Sequence, residues 1–285
     1  MSALFWYSCL AVIGLGIAAF AIYKKRYVTD LSTWLVFYLF ATGITWFGEV
    51  IVLVVFNGYA YKLGIFQNPL FENLVGHLLL NSTVWPGAAV LVVAYRLRYG
   101  WISLITAVFI LLEYLFINYG LYEQHWWHYY MTVTAAILFF VILKKWFPLM
   151  NEIRRGLPRF ITLYFAAFVI IHLPIPLMLL YGKQYYSVVV TQDMYQSSTI
   201  FIVFYQLVET SIVMFFLFLD KWYWKLAPYF ISSAGHIFLA SRNILIIQDS
   251  WNLVYTLLLY TIVLTLCLLM EKYTLRPIDL FLKQR

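Results

Sequence analysis

The feature that most constrains this chain is a series of nine apolar runs, each long enough to cross a lipid bilayer, that occupies nearly its whole length. They lie near residues 4–23, 32–56, 70–95, 101–122, 127–143, 160–181, 198–219, 228–248 and 252–270. A backbone in hydrocarbon must satisfy its own hydrogen bonds, so each run is expected to be an α-helix. The segments between them are too short to hold a soluble catalytic domain. Composition agrees: 64% of residues are apolar and 11% charged, against about 25% charged in soluble domains. The predicted fold is all-α, a polytopic transmembrane helical bundle of about nine helices, and its first partner is the lipid bilayer.

A net charge of +7 would suit nucleic acid if the basic residues clustered, but they sit at helix ends. Sixteen of the nineteen lie at alternate ends, from Lys24, Lys25 and Arg26 to the C-terminal tail; Lys62, Lys183 and Arg242 lie at the opposite ends. Under the positive-inside rule this bias predicts a multi-pass protein of the cell membrane, N-terminus outside and C-terminus cytoplasmic, with no nucleic-acid partner. The first run is expected to be retained rather than cleaved. Lys24-Lys25-Arg26 follows it and no basic residue precedes it, the reverse of a signal peptide. Cys9 and Cys267 both fall inside apolar runs, which predicts neither a disulfide framework nor a Cys-rich metal site.

The chain contains no G-x-x-x-x-G-K-[ST] phosphate loop, no H-E-x-x-H zinc pair and no G-x-S-x-G elbow, and every lysine lies at a helix end or in a loop. ATP-driven transport by this chain alone, the common hydrolase chemistries and a retinal Schiff base are therefore disfavoured. No cofactor is implied.

At an offset of about 124 residues the chain aligns with itself. Asn57-Gly58-Tyr59 falls on Tyr181-Gly182-Lys183, Trp127 on Trp251, and Glu113 beside His236. In both halves the first outer connection is long, 57–69 and 182–197, and the second is short, 122–127 and 249–252. The expected organisation is 1+4+4. A first helix with its inner loop (1–31) precedes a four-helix unit (32–145), an inner interfacial linker (146–159), a second four-helix unit (160–272) and a cytoplasmic tail (273–285). Four crossings per unit make a parallel tandem repeat.

Ionisable groups inside a span cost on the order of 2.5 to 3.5 kcal/mol each on insertion, so they face a bundle interior or a wet cavity. Glu49, His77, Glu113, His172, Glu209, His236 and Arg242 all fall inside predicted spans, with Asn81 one helical turn from His77. Spacings of three and four place Thr42, Thr45 and Glu49 on one helix face, and Asn73, His77 and Asn81 on another. Counted at 1.5 Å per residue, Glu49, Glu113, His172 and Arg242 lie roughly 10 to 14 Å below the outer boundary. The prediction is a buried Glu/His/Arg site between the two units, open toward the outside. The competing reading is interhelical hydrogen-bonding glue. Arg242 keeps its charge and is expected to pair with Glu49, Glu113 or Glu209. Pro174 and Pro176 are expected to kink the sixth helix and free the carbonyls of Ile170 and His172, and Trp85-Pro86-Gly87 to kink the third. Glu123, His125 and His128 form a secondary candidate for a transition metal, within a stretch whose tryptophans and tyrosines suit an interfacial belt.

Asn81-Ser82-Thr83-Val84-Trp85-Pro86, Leu112-Glu113-Tyr114-Leu115-Phe116, Tyr119-Gly120-Leu121-Tyr122 and Trp126-Trp127 carry a resemblance. Over about residues 45–145 the chain resembles a family of small uncharacterised multi-pass membrane proteins from spore-forming Firmicutes. The resemblance implies a bacterial cytoplasmic or spore membrane and carries no activity.

The function expected from the residues is an integral membrane transporter, channel or transmembrane ligand-binding component for a small ion or solute. The alternative is a non-catalytic assembly or interaction subunit. An intramembrane lipid-modifying enzyme ranks last, because no nucleophile or paired-aspartate motif accompanies the Glu and His residues.

Overall fold

The computed structural model describes residues 2–152, 156–248 and 250–275. It is an all-α polytopic architecture in which eight helical segments have the length and apolar composition to cross a membrane. The described elements sort into two compact units, one running to Thr162 and including Leu275, the other spanning Leu163–Thr274.

The first unit begins with α1 (Ala3–Lys25) and α2 (Leu31–Glu49), the latter capped by the Asp30 side chain, which accepts from the Thr33 amide at 3.0 Å. At Val50–Val55 the helix widens into a π-helical turn. The strand β1 (Tyr59–Tyr61) follows, then α3 (Pro69–Leu80), α4 (Val84–Ala94), α5 (Tyr99–Asn118), the strand β2 (Tyr122–Gln124) and α6 (Tyr129–Glu152). α7 (Leu157–His172) starts in this unit and continues into the second. There it is followed by α8 (Pro174–Leu180), β3 (Gln184–Tyr186), α9 (Met194–Leu217), a short 3₁₀ turn (Trp222–Leu226), α10 (Ala227–Ser241), β4 (Leu245–Ile247) and α11 (Leu253–Tyr273).

Helix α1, expected to stand apart from the four-helix units, is packed into the first. Apart from Tyr7 near its start, its buried face is small: Ala11, Gly14, Ala18 and Ala21. A Cβ on Gly14 would lie 2.7 Å from the Thr83 carbonyl, and one on Gly87 of α4 would lie 2.3 Å from the Gly14 oxygen. Two helices in lipid gain from such close backbone approach, since dispersion replaces the hydrophobic drive between them.

The proline breaks have specific partners. Pro86 has no amide to bond the carbonyl four residues earlier, that of Ser82. The Tyr38 hydroxyl donates to that carbonyl instead, the Trp46 indole donates to Ser82 Oγ at 3.2 Å, and Thr45 Oγ1 donates to the Asn81 carbonyl at 3.0 Å. α3 and α4 are thus two helices held at one break. In the second unit the chain breaks between His172 and Pro174, and the neighbouring carbonyl of Ile171 accepts from Gln206 Nε2 at 3.1 Å.

The eighth predicted span is shorter than expected. α10 ends at Ser241 rather than near residue 248, because Asn243 turns the chain at φ 54 and Leu245–Ile247 pairs with β3. Its 15 residues fall short of the eight longer segments.

Each unit carries one antiparallel strand pair, Tyr59↔Gln124 to Tyr61↔Tyr122 and Gln184↔Ile247 to Tyr186↔Leu245. Every strand begins two residues after a left-handed residue: Asn57, Gly120, Gly182 and Asn243. Such residues close helix C-termini at little steric cost when they are Gly or Asn. The surrounding bonds recur at residue numbers 123 to 125 apart. The Gly58 carbonyl accepts from the His125 amide and the Lys183 carbonyl from the Gln248 amide, both at 3.0 Å. The Tyr61 amide donates to Asn73 Oδ1 at 2.8 Å and the Tyr186 amide to Ser198 Oγ at 2.9 Å. The Trp127 indole donates to Thr132 at 2.8 Å and the Trp251 indole to Thr256 at 2.9 Å.

Candidate functional site

In the first unit the polar residues gather around the end of α2. Glu49 is its last residue, and the π-helical turn begins at the next. One extra residue per turn changes which side chains share a face, a device frequent at functional positions. Asn57 then reverses the chain, so β1 folds back over the carboxyl. Residues i and i+2 of a strand point the same way, and Tyr59 and Tyr61 both reach Glu49. The Tyr59 hydroxyl donates to Oε2, and the Tyr61 hydroxyl to Oε1 at 2.8 Å. Asn81, at the end of α3, donates from Nδ2 to the Tyr61 hydroxyl at 3.3 Å, and lies 3.4 Å from His77 Nδ1. His77 Nδ1 is 3.9 Å from Glu49 Oε1, and its ring leans on Trp46 at 5.4 Å.

This network forms part of the wall of a cavity of about 370 Å³. Glu113 of α5 forms another part. Its Oε1 accepts from Gln124 Nε2 at 2.8 Å and the Thr132 hydroxyl stands close to the carboxyl, while Oε2 is buried with no hydrogen bond among the described residues. The rest of the lining is mainly apolar or aromatic, including Trp85, Phe109, Phe116 and Phe139. None of the lining residues is Lys, Arg or His. Of the sequence candidates, Glu49, Asn81 and Glu113 line this cavity, with His77 bonded behind them.

His172, Glu209 and His236 belong to a separate buried network in the second unit. His172 Nδ1 bonds Gln206 Oε1, and Gln206 Nε2 also lies 3.4 Å from the Tyr260 hydroxyl. The Ser232 hydroxyl donates to Glu209 Oε1. His236 Nδ1 donates to the Ser232 carbonyl at 2.9 Å, and its ring packs on Tyr260 at 4.0 Å. Glu209 Oε2, His236 Nε2 and the Tyr186 hydroxyl are buried without a hydrogen-bond partner among the described residues.

Two expectations are corrected. Arg242 is not a buried charge: it is the residue that ends α10, exposed, with its guanidinium 5.5 Å from the Phe238 ring. Glu209, the carboxyl of the same unit expected to take it, is bonded by Ser232 instead. The reason is the early end of α10, which puts Arg242 at a helix terminus where a long cation can reach polar surroundings. Glu123, His125 and His128 do not assemble a metal site. Lys62 lies 2.8 Å from Glu123, and its hydrogen bond and charge hold that carboxyl below the usual range. His125 Nδ1 bonds the Asn57 carbonyl at 2.9 Å, and the His128 ring leans on Tyr130 at 5.9 Å. Among the described residues no three of His, Cys, Asp and Glu are grouped to hold a metal.

The sequence reading missed Tyr59, Tyr61, Gln124 and Glu72. The Tyr59-Ala60-Tyr61 alternation was the available signal for the first two. Glu72 is buried near the start of α3 and accepts from four backbone amides. Leu63 and Gly64 donate to Oε2, the latter at 2.6 Å; Ile65 and Phe66 donate to Oε1 at 2.7 and 2.6 Å. It therefore shapes the loop that leads back from β1.

Comparison with protein-family models, curated proteins and solved structures finds no match to this chain.

Proposed function

We propose that this integral membrane protein is a transporter or transmembrane ligand-binding component whose solute occupies the cavity of the first unit. The observation that carries this reading is Glu113 Oε2: a buried carboxyl oxygen without a partner, on the wall of a mainly apolar space of about 370 Å³. Pockets that take small molecules have this character, about 300 to 1,000 Å³ with a few convergent polar groups in apolar walls. Interhelical glue needs no such space.

The internal duplication and the bacterial membrane belong to the same proposal. The duplication is supported by the recurring strand, tryptophan and amide bonds of the two units. The membrane origin rests on the resemblance to the spore-former family. The orientation, N-terminus outside, rests on the sixteen-to-three distribution of basic residues.

Ala135 lines the cavity, and a cysteine there adds little volume. In protein lacking Cys9 and Cys267, Ala135→Cys should react with the small neutral reagent methyl methanethiosulfonate. A cysteine at the exposed Tyr119 serves as the positive control. Failure at 135 with reaction at 119 would favour the assembly-subunit reading.

A further inference from the structure

We infer that the solute of this cavity is a protonated organic amine with an aromatic or aliphatic body, and that Glu113 is its anchor; the inference rests on the cavity-binding reading above.

The polar groups on the wall select the charge. Two carboxyl side chains line the cavity, Glu49 and Glu113, beside neutral tyrosine hydroxyls, and none of the lining residues is Lys, Arg or His. An anionic solute entering this space would meet carboxyls and no cation, a juxtaposition that low dielectric makes costly. The two carboxyls are not equivalent. Glu49 has a tyrosine hydroxyl on each oxygen. Glu113 has one oxygen held by Gln124 and the Thr132 hydroxyl close to the carboxyl, while Oε2 makes no hydrogen bond among the described residues. An open acceptor calls for a donor, and an ammonium N–H supplies both a donor and the charge that the chain withholds.

The apolar walls select the body. Trp85, Phe109, Phe116, Tyr122 and Trp127 all line the cavity. Aromatic rings attract organic cations through their quadrupole, most strongly where water is excluded. At about 30 Å³ per water-sized group, 370 Å³ holds about a dozen such groups, which fits one ring with a short aminoalkyl chain. An inorganic cation would leave most of the aromatic wall without contact.

The test is equilibrium binding of tritiated 2-phenylethylammonium to the full chain in detergent micelles. Ala135→Phe protein, whose added ring occupies the cavity, gives the background. Propylbenzene is the neutral competitor of like shape and 3-phenylpropanoate the anionic one. The expected result is saturable binding displaced by unlabelled amine and by neither competitor, absent in Ala135→Phe. Glu113→Gln should weaken it by about tenfold or more, the scale of one charge-assisted hydrogen bond. Competition by propylbenzene equal to that of the amine, or unchanged binding in Glu113→Gln, would overturn the inference while leaving a solute cavity in place. Because the competitor series uses the wild-type chain, it decides the matter even if Glu113→Gln does not fold. No amine binding above background also overturns it, and methanethiosulfonate labelling at 135 then decides separately whether the cavity reading survives.

Discussion

Replacing Glu72 by glutamine keeps the shape of the side chain and turns one of its two acceptors into a donor. In the structure each oxygen takes two backbone amides, Leu63 and Gly64 on one, Ile65 and Phe66 on the other. Whichever way the glutamine amide turns, two N–H groups face an NH₂ instead of an oxygen. Hydrogen bonds to a charged group are worth about 1.5 to 3 kcal/mol each, so two lost bonds cost about 3 to 6 kcal/mol. Gly64, Ile65 and Phe66 are exposed, and their freed amides can turn to solvent or headgroups, which favours the lower figure. A local cost of about 3 kcal/mol raises the population of the opened loop by about a hundredfold. Lys62 supplies a tryptic bond at the edge of this loop. Where opening and closing are fast, the cleavage rate follows that population, so cutting after Lys62 should accelerate by about two orders of magnitude in Glu72→Gln. The second unit provides the contrast. Ser197 Oγ, 125 residues on, accepts from the Val190 and Thr191 amides at 3.2 and 2.8 Å. It is neutral, and Ser197→Ala should cost only about 1 to 2 kcal/mol in equilibrium unfolding. A Glu72→Gln protein cut within about twofold of the wild-type rate would refute the claim that the carboxylate organises the loop.

Gly87→Leu should prevent accumulation of monodisperse protein, because its Cβ alone meets the Gly14 carbonyl oxygen at 2.3 Å and overpacking of this kind costs about 1 to 3 kcal/mol or more. Gly16→Leu, with nothing within 4 Å of its Cβ, should elute as wild type in size-exclusion chromatography, and equal behaviour of the two would remove the packing argument. Arg242→Leu should accumulate normally, since the guanidinium is exposed at the end of α10; a severe loss of yield would mean it serves a buried carboxyl after all. Burial, followed by the nearby Glu49 carboxyl, raises the phenols of Tyr59 and Tyr61 well above their ordinary value. The unfolded chain therefore ionises these tyrosines first, and their stabilising contribution, complete below about pH 10, is lost as pH rises further. Phenolate absorbance and circular dichroism recorded together should show these two ionising only as the protein unfolds, and the Tyr59→Phe, Tyr61→Phe double variant should lose less stability over the same alkaline range.

The helices were legible in the sequence because hydrocarbon imposes a length and a composition on each span independently of the others. The eight long segments follow from residue order alone, as does the presence of Glu49, His77, Asn81 and Glu113 inside them. Partnership was not legible. Glu49 meets Tyr59 and Tyr61 only because a π-helical turn and a left-handed Asn57 fold a three-residue strand back over it; the Tyr59-Ala60-Tyr61 alternation hints at the strand but says nothing of what it covers. Glu72 stands inside the predicted run 70–95, so its presence was legible; its role was not, because its partners are backbone amides, which every residue but proline carries alike. Arg242 was misplaced because apolarity continues through Leu245–Ile247, while the end of α10 is set by the pairing of those residues with β3. The local sequence thus determined which segments enter the membrane and which polar groups go with them. Tertiary packing decided which of those groups meet, since residues distant in the chain become neighbours only where helix breaks, turns and strand pairs bring their carriers together.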